Sequence, residues 1–317
     1  MLKKSFTFLL LFLCSLFAKD IEPTFSLNAT GGVVDLVLNE NKIYASILSS
    51  SVDIFDMAKK EKIDSIKIPK IKDFTQNVIE SKIYSVDILK ENVLILSQGE
   101  NGGRNLFIYN SGKLLPLIED KEKLYISYAK FLDENHIVYA LLSNQIFIYN
   151  IKNRTIEKQI QVSQSKFSSF RLNETKTQII VSDESGVLTL VDTKNLQIIK
   201  TFENMNLDNV FQVDIKNSTI ITAGQDGRCV VYYLSKKEPY FKKFDFLLYS
   251  AGLSSTAKFG GISSDEENNV TIFNTETKEN IAKLVKNKST ITNIVFINEN
   301  MVIVSSEDKQ INIYKLN

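Results

Sequence analysis

Few residues in this 317-residue chain are of types that do chemistry by themselves: one histidine, His136, and two cysteines, Cys14 and Cys229. A Ser-His-Asp mechanism would have to use His136, yet no Gly-x-Ser-x-Gly turn accompanies it. His136 follows the turn Asp133-Glu134-Asn135 and opens an apolar segment, so it reads as a surface residue at a strand start. One His and one Cys cannot supply a zinc or copper site of the usual nitrogen and sulfur kind. Cys229 occupies the first apolar place of a repeated motif and reads as a small core side chain. A reactive thiol needs an exposed, electropositive setting, and neighbouring Arg228 points to the opposite side of a strand.

The glycine-rich "QGENGGR" (98–104) lacks the Gly-Lys-Ser/Thr of a phosphate loop. It reads as a hairpin tip, and its length makes it a candidate contact loop. DESG (183–186) and QDG (225–227) read as turns that need glycine, and SSDEEN (263–268) has carboxylates that offer calcium as an alternative. Six Asn-x-Ser/Thr triplets occur, but only Asn269, in "ENNVT", has an acidic residue two places before it. That matches the extended bacterial N-glycosylation pattern and predicts an exposed loop at Asn269. No cofactor and no resident metal are expected.

Composition is that of a globular chain, 44% hydrophobic and 24% charged, with a net charge of +1 that does not advertise nucleic-acid binding. Residues 1–18, MLKKSFTFLLLFLCSLFA, have two lysines, an apolar run and then Ala18 before Lys19-Asp20. This is the pattern of a secretory signal peptide cut after Ala18. Leu16 stands where a small residue is preferred, so a retained anchor is the alternative. No other stretch approaches the roughly 20 apolar residues that a membrane span requires. The expectation is a periplasmic chain, 19–317, without a span after cleavage. Cys229 is then its lone cysteine, and no disulfide framework supports it.

The elements that must position these residues come from a repeat. VDIFD (52–56), LFIYN (106–110), IFIYN (146–150), LTLVD (188–192), CVVYY (229–233), VTIFN (270–274) and INIYK (311–315) recur at steps of 54, 40, 42, 41, 41 and 41. A period near 41 with alternation inside each copy predicts one four-stranded sheet per repeat, hence an all-β, seven-bladed β-propeller. TQIIVS (177–182) and STIITA (218–223) read as second strands, the motifs as third strands, and IEKQIQV (156–162) and LQIIKTF (196–202) as fourth strands. The long first step predicts an insertion at SQGENGGRN (97–105) and around 69–77. The seventh motif ends at Lys315, two residues before the end, so TFSLNA (24–29) is expected to supply its missing outer strand and close the ring.

The third-strand motif resembles that of WD40 repeats, with Phe, Tyr or Val in place of Trp and Asp or Asn after it in five copies. The Gly-His pair and every Trp are missing, so the hydrogen-bonded tetrad usual in that family cannot form. With its export signal and seven divergent blades, the whole chain resembles the NapL-type accessory proteins of periplasmic nitrate reductase systems. That resemblance implies a non-enzymatic protein-interaction scaffold whose partner is a nitrate reductase component in the periplasm. A propeller hydrolase or lactonase with a calcium-dependent site near the axis, and a scaffold for outer-membrane protein assembly, are the alternatives. The first needs carboxylates converging on the axis, and the carboxylates placed by the sequence lie in turns.

Alternating strand direction puts second-to-third-strand turns on one face of the disc and third-to-fourth-strand turns on the other. The first set is net negative and the second, including MAKKEK and IKNRT, net positive. The acidic face, with Asp183, Glu184, Asp226, Asp265, Glu266, Glu267, Glu307 and Asp308, is the expected partner surface.

Overall fold

The computed structural model describes residues 19–316; the signal-peptide expectation for 1–18 lies outside the described residues. Seven antiparallel sheets of four consecutive strands, or three closed by an N-terminal strand, follow one another along the chain, at 33–67, 83–118, 126–161, 167–202, 210–243, 251–284 and 291–315. They are the seven blades of a β-propeller. In each blade the quoted motif is the third strand, as at Ser51–Asp56, Gln145–Asn150 and Gln310–Lys315.

Why these segments make blades is visible in what they bury. The first apolar residue of every motif, Val52, Leu106, Ile146, Leu188, Cys229, Val270 and Ile311, is wholly buried. The apolar residues form seven clusters, each drawn from two successive blades. Tyr149 packs between blades 2 and 3, Tyr232 between 4 and 5, and Phe273 between 5 and 6. A blade exposes an apolar surface on both sides, and only its neighbours remove it from water.

The Asp or Asn that follows the motif opens the outer hairpin. Asp56 Oδ1 accepts the N–H groups of Ala58 and Lys59, and Asn274 Oδ1 those of Glu276 and Thr277. A short side-chain oxygen thus satisfies N–H groups that the turn would leave free.

Ring closure is as expected. Phe25–Asn28 pairs antiparallel with Gln310–Lys315 and completes blade 7. Leu27 and Ala29 enter the core between blades 7 and 1. An unforeseen element precedes it: Lys19–Ile21 runs parallel to Asn280–Leu284 as a fifth strand on blade 6. The long first step is explained by a small hairpin, Ile71–Lys72 with Val78–Ile79, and a 3-10 turn at Glu100–Gly102.

Six of the seven inner strands carry a bulge near their start, with Val34, Tyr84, Ser127, Ser168, Phe211 and Thr292 as the extra residues. The bulge bends the strand and redirects the residues after it, which sets what faces the axis. Among the described residues no helix is long and apolar enough to cross a membrane.

Candidate functional site

Second-to-third-strand turns and the connections between blades share one face of the disc, because four antiparallel strands return the chain to that side. The expected partner residues are all in its turns, but they divide by side-chain length. Glu184, Glu266, Glu267 and Glu307 are exposed. The aspartates are turned inward to hold the turns. Asp183 is 2% exposed; it accepts Ser185 N–H, and its other oxygen accepts Asn144 Nδ2 at 3.1 Å and Ser163 Oγ at 2.7 Å. Asp226 accepts the N–H groups of Leu207 and Arg228, and Asp308 that of Gln310. Asp265 accepts Asn269 N–H at 2.9 Å and pairs with Lys283 at 2.9 Å. Burial pushes the Asp265 carboxyl up, but Lys283 and the Asn269 donors outweigh it and hold the group below its ordinary value. Among the expected partner residues, the exposed carboxylates are therefore the glutamates.

The turns expected to need glycine do need it: Gly186 and Gly227 have φ of +86° and +70°. Asn269 is 7% exposed, and its Nδ2 donates to Asp265 Oδ2 at 3.0 Å. The exposed loop required for glycosylation is not what the folded chain offers at that amide.

Apolar side chains sort by face as well. The large exposed ones fall into two groups. One lies along the outer strands, for example Ile156, Ile198 and Phe241. The other comprises Leu48, Phe74, Val78, Tyr125, Leu142, Leu207 and Leu247, all in second-to-third-strand turns or blade connections. Phe74, at the tip of the inserted hairpin, is 89% exposed. The opposite face contributes none to this set. Sequence reading missed this pattern, although each residue was visible as an apolar interruption of a polar connection.

His136 begins a second strand in register with Gln178 of the next blade. Its Nδ1 lies 2.9 Å from both Asp133 oxygens and its Nε2 3.2 Å from Glu157 Oε2. Burial raises the Asp133 carboxyl, but bonds from the His136 ring and the Asn135 and His136 N–H groups overcome this and hold it below its ordinary value. No serine or cysteine lines the depression beside the ring. Cys229 is wholly buried, and burial pushes its thiol well above the ordinary range.

The inner strands of all seven blades enclose an axial cavity of about 430 Å³. Carboxylates do reach it, contrary to the expectation that they are confined to turns: Asp87 and Asp214 line it, and Asp35 sits just behind. Their signal was present as a recurring Val-Asp-Leu/Ile in VVDLV (33–37), SVDIL (85–89) and QVDIK (212–216).

Each of these aspartates fastens its blade to the next. Asp35 accepts Val86 N–H at 3.2 Å, Asp87 accepts Phe131 N–H at 2.7 Å, and Asp214 accepts Leu253 N–H at 2.9 Å. Gln212 does the same, its Oε1 accepting Ser250 Oγ and Ala251 N–H. Lys130 Nζ joins Asp35 at 3.2 Å and Val86 O at 2.7 Å. Burial raises the Asp87 carboxyl above its ordinary value, and Lys130 and the Phe131 N–H offset this only in part. These carboxylates are occupied by backbone donors and hold the ring together. Among the described residues, no group of three or more His, Cys, Asp or Glu side chains is arranged to hold a metal ion.

A scan of protein-family models gives no match to this chain, and no curated protein matches it.

Proposed function

We propose that the protein is an exported, non-enzymatic interaction scaffold that docks a protein partner on the face of its second-to-third-strand turns. The observation that carries this reading is the sorting of exposed apolar side chains. A soluble disc has no need to place Phe74, Val78, Tyr125, Leu142 and Leu207 on one face and none on the other. Apolar anchors amid exposed Glu184, Glu266, Glu267 and Glu307 make a surface suited to a partner with apolar pockets and a basic rim. The whole-chain resemblance to NapL-type accessory proteins supports a component of a periplasmic nitrate reductase system as that partner.

The test is capture of the partner from native envelope extract. Phe74→Ala should weaken capture at all salt concentrations, as loss of an anchor does. Glu266→Lys with Glu267→Lys should slow association most at low ionic strength. Reversal of Lys59 and Lys152 on the opposite face should do less. Lys60 is avoided because its Nζ covers the Phe25 ring at 4.7 Å, a contact of the closing strand. If reversal of Lys59 and Lys152 alone abolishes capture, the partner binds the other face.

A further inference from the structure

We propose that the axial cavity is a binding site for a small organic carboxylate, held by Arg171 with Lys216 on the same cavity wall. Arg171 projects from the inner strand Phe167–Leu172 of blade 4 and lines the cavity. Its Nη1 donates to Tyr128 Oη and, at 3.4 Å, to Phe170 O. Its guanidinium stands 5.2 Å from the centre of the Tyr128 ring. Among the described residues Arg171 forms no ion pair, and its Nε and Nη2 have no hydrogen-bond partner. These two adjacent N–H groups are an edge of guanidinium that meets both oxygens of a carboxylate at once.

The other charged groups around the cavity are already engaged, with one exception. Lys130 is paired with Asp35, and Lys176 Nζ donates to Phe131 O at 2.7 Å. Asp87 and Asp214 accept backbone N–H groups, and Glu174 accepts that of Asn217 at 2.6 Å. Lys216, on the next blade, lines the same cavity and has no polar partner among the described residues. An arginine edge and an ammonium therefore stand open where every carboxylate has donors of its own. Leu36, Leu38, Leu253, Val295 and Phe296 form an apolar part of the wall. That wall suits the carbon body of an organic acid and offers nothing to a bare inorganic anion.

This site is separate from the proposed docking face: the cavity reaches Glu174 and Lys176, which belong to a first-to-second-strand turn on the opposite side. The experiment is calorimetric titration of the full folded protein with succinate, malonate and benzoate, and with inorganic phosphate, up to ~10 mM, a range that detects millimolar dissociation constants. At least one carboxylate should bind at one site per chain, more tightly than phosphate. Arg171→Gln and Arg171→Lys should each weaken it about tenfold or more, the lysine variant because charge without the fork is insufficient. Lys216→Ala removes a side chain with no polar partner among the described residues, should keep the fold, and should weaken binding several-fold. The assignment is overturned if no carboxylate binds, if phosphate binds equally well, or if affinity is unchanged in Lys216→Ala and in folded Arg171→Lys.

Discussion

At the scale of single residues, the expected partner residues divide into turn-holding aspartates and exposed glutamates. In the turns of the candidate docking face, an aspartate oxygen is short enough to bend back onto nearby backbone N–H groups, as Asp183, Asp226 and Asp308 do. The longer glutamates stay exposed even where one reaches backbone, as Glu184 does in accepting the Lys166 N–H at 3.0 Å. His136 obeys the same local logic. Its N–H is accepted by Asp133 Oδ1, just as the N–H of its counterpart Gln178 is accepted by Asn173 Oδ1. The ring adds contacts with Glu157 and Asn150 at the surface. His136→Gln should therefore fold normally and shift stability by no more than about 0.5 kcal/mol, the range of ordinary surface changes. It should also leave partner capture intact. Loss of function in a variant with unchanged thermal melting would reopen a chemical role for this histidine. Cys229 gives a complementary expectation. Buried and with its thiol held protonated, it should resist thiol reagents in the native protein and react fully in denaturant. Fast native labelling would contradict the packing.

At the scale of elements, the third strands were legible because both of their sides are buried. An apolar-x-apolar-aromatic run at a near-constant period survives any divergence that keeps the blades packed. Inner strands were less legible, since the bulges at residues such as Ser127 and Ser168 interrupt alternation just where the axis-facing residues begin. The recurring Val-Asp-Leu/Ile marks Asp35, Asp87 and Asp214, but their stapling role depends on N–H groups of the next blade, 39 to 51 residues away, which no local pattern announces. Lys19–Ile21 was hidden for another reason: three residues with one apolar side chain carry no strand signal.

The acidic turn of blade 6 makes a pH prediction. Because Asp265 titrates below its ordinary 3.8 in the folded state, its contribution is fully present above that value. It is lost as pH falls through 3.8 and the folded protein's lower value. Asp265→Asn keeps an acceptor for Asn269 N–H but loses the pairing with Lys283 and the bond from Asn269 Nδ2. At neutral pH it should cost under about 1 kcal/mol, as for other partly exposed pairs, and the cost should shrink as pH drops below 4. Thermal melts of both proteins across that range would check it; a gap that widens with acid would contradict the assignment.

At the scale of the whole molecule, closure of the ring is the point on which stability turns. The outer strands of most blades are defended edges. Those of blades 1, 3 and 4 are bulged and carry lysines such as Lys62, Lys158 and Lys200, features that discourage pairing with another chain. Blade 7 differs, because its own last strand, Gln310–Lys315, pairs without a bulge and is a buried, apolar third strand. Only Phe25–Asn28 covers it, fastened by Thr24 N–H to Ile313 O and Ala29 N–H to Lys309 O, both at 2.8 Å. Thr30 then ties the segment to blade 1 through Asp53, which accepts its N–H at 2.7 Å and its hydroxyl at 2.8 Å. A variant beginning at Thr30 should therefore melt well below the full 19–317 chain and self-associate through the bared strand. A variant beginning at Glu22 loses only the fifth strand of blade 6 and should fall far less. Leu27→Ala isolates packing from pairing. With 2% exposure in the core between blades 7 and 1, it should cost about 2–5 kcal/mol and leave the parent's oligomeric state unchanged. If the variant beginning at Thr30 melts and elutes with the parent, the seventh blade is stable without its N-terminal strand.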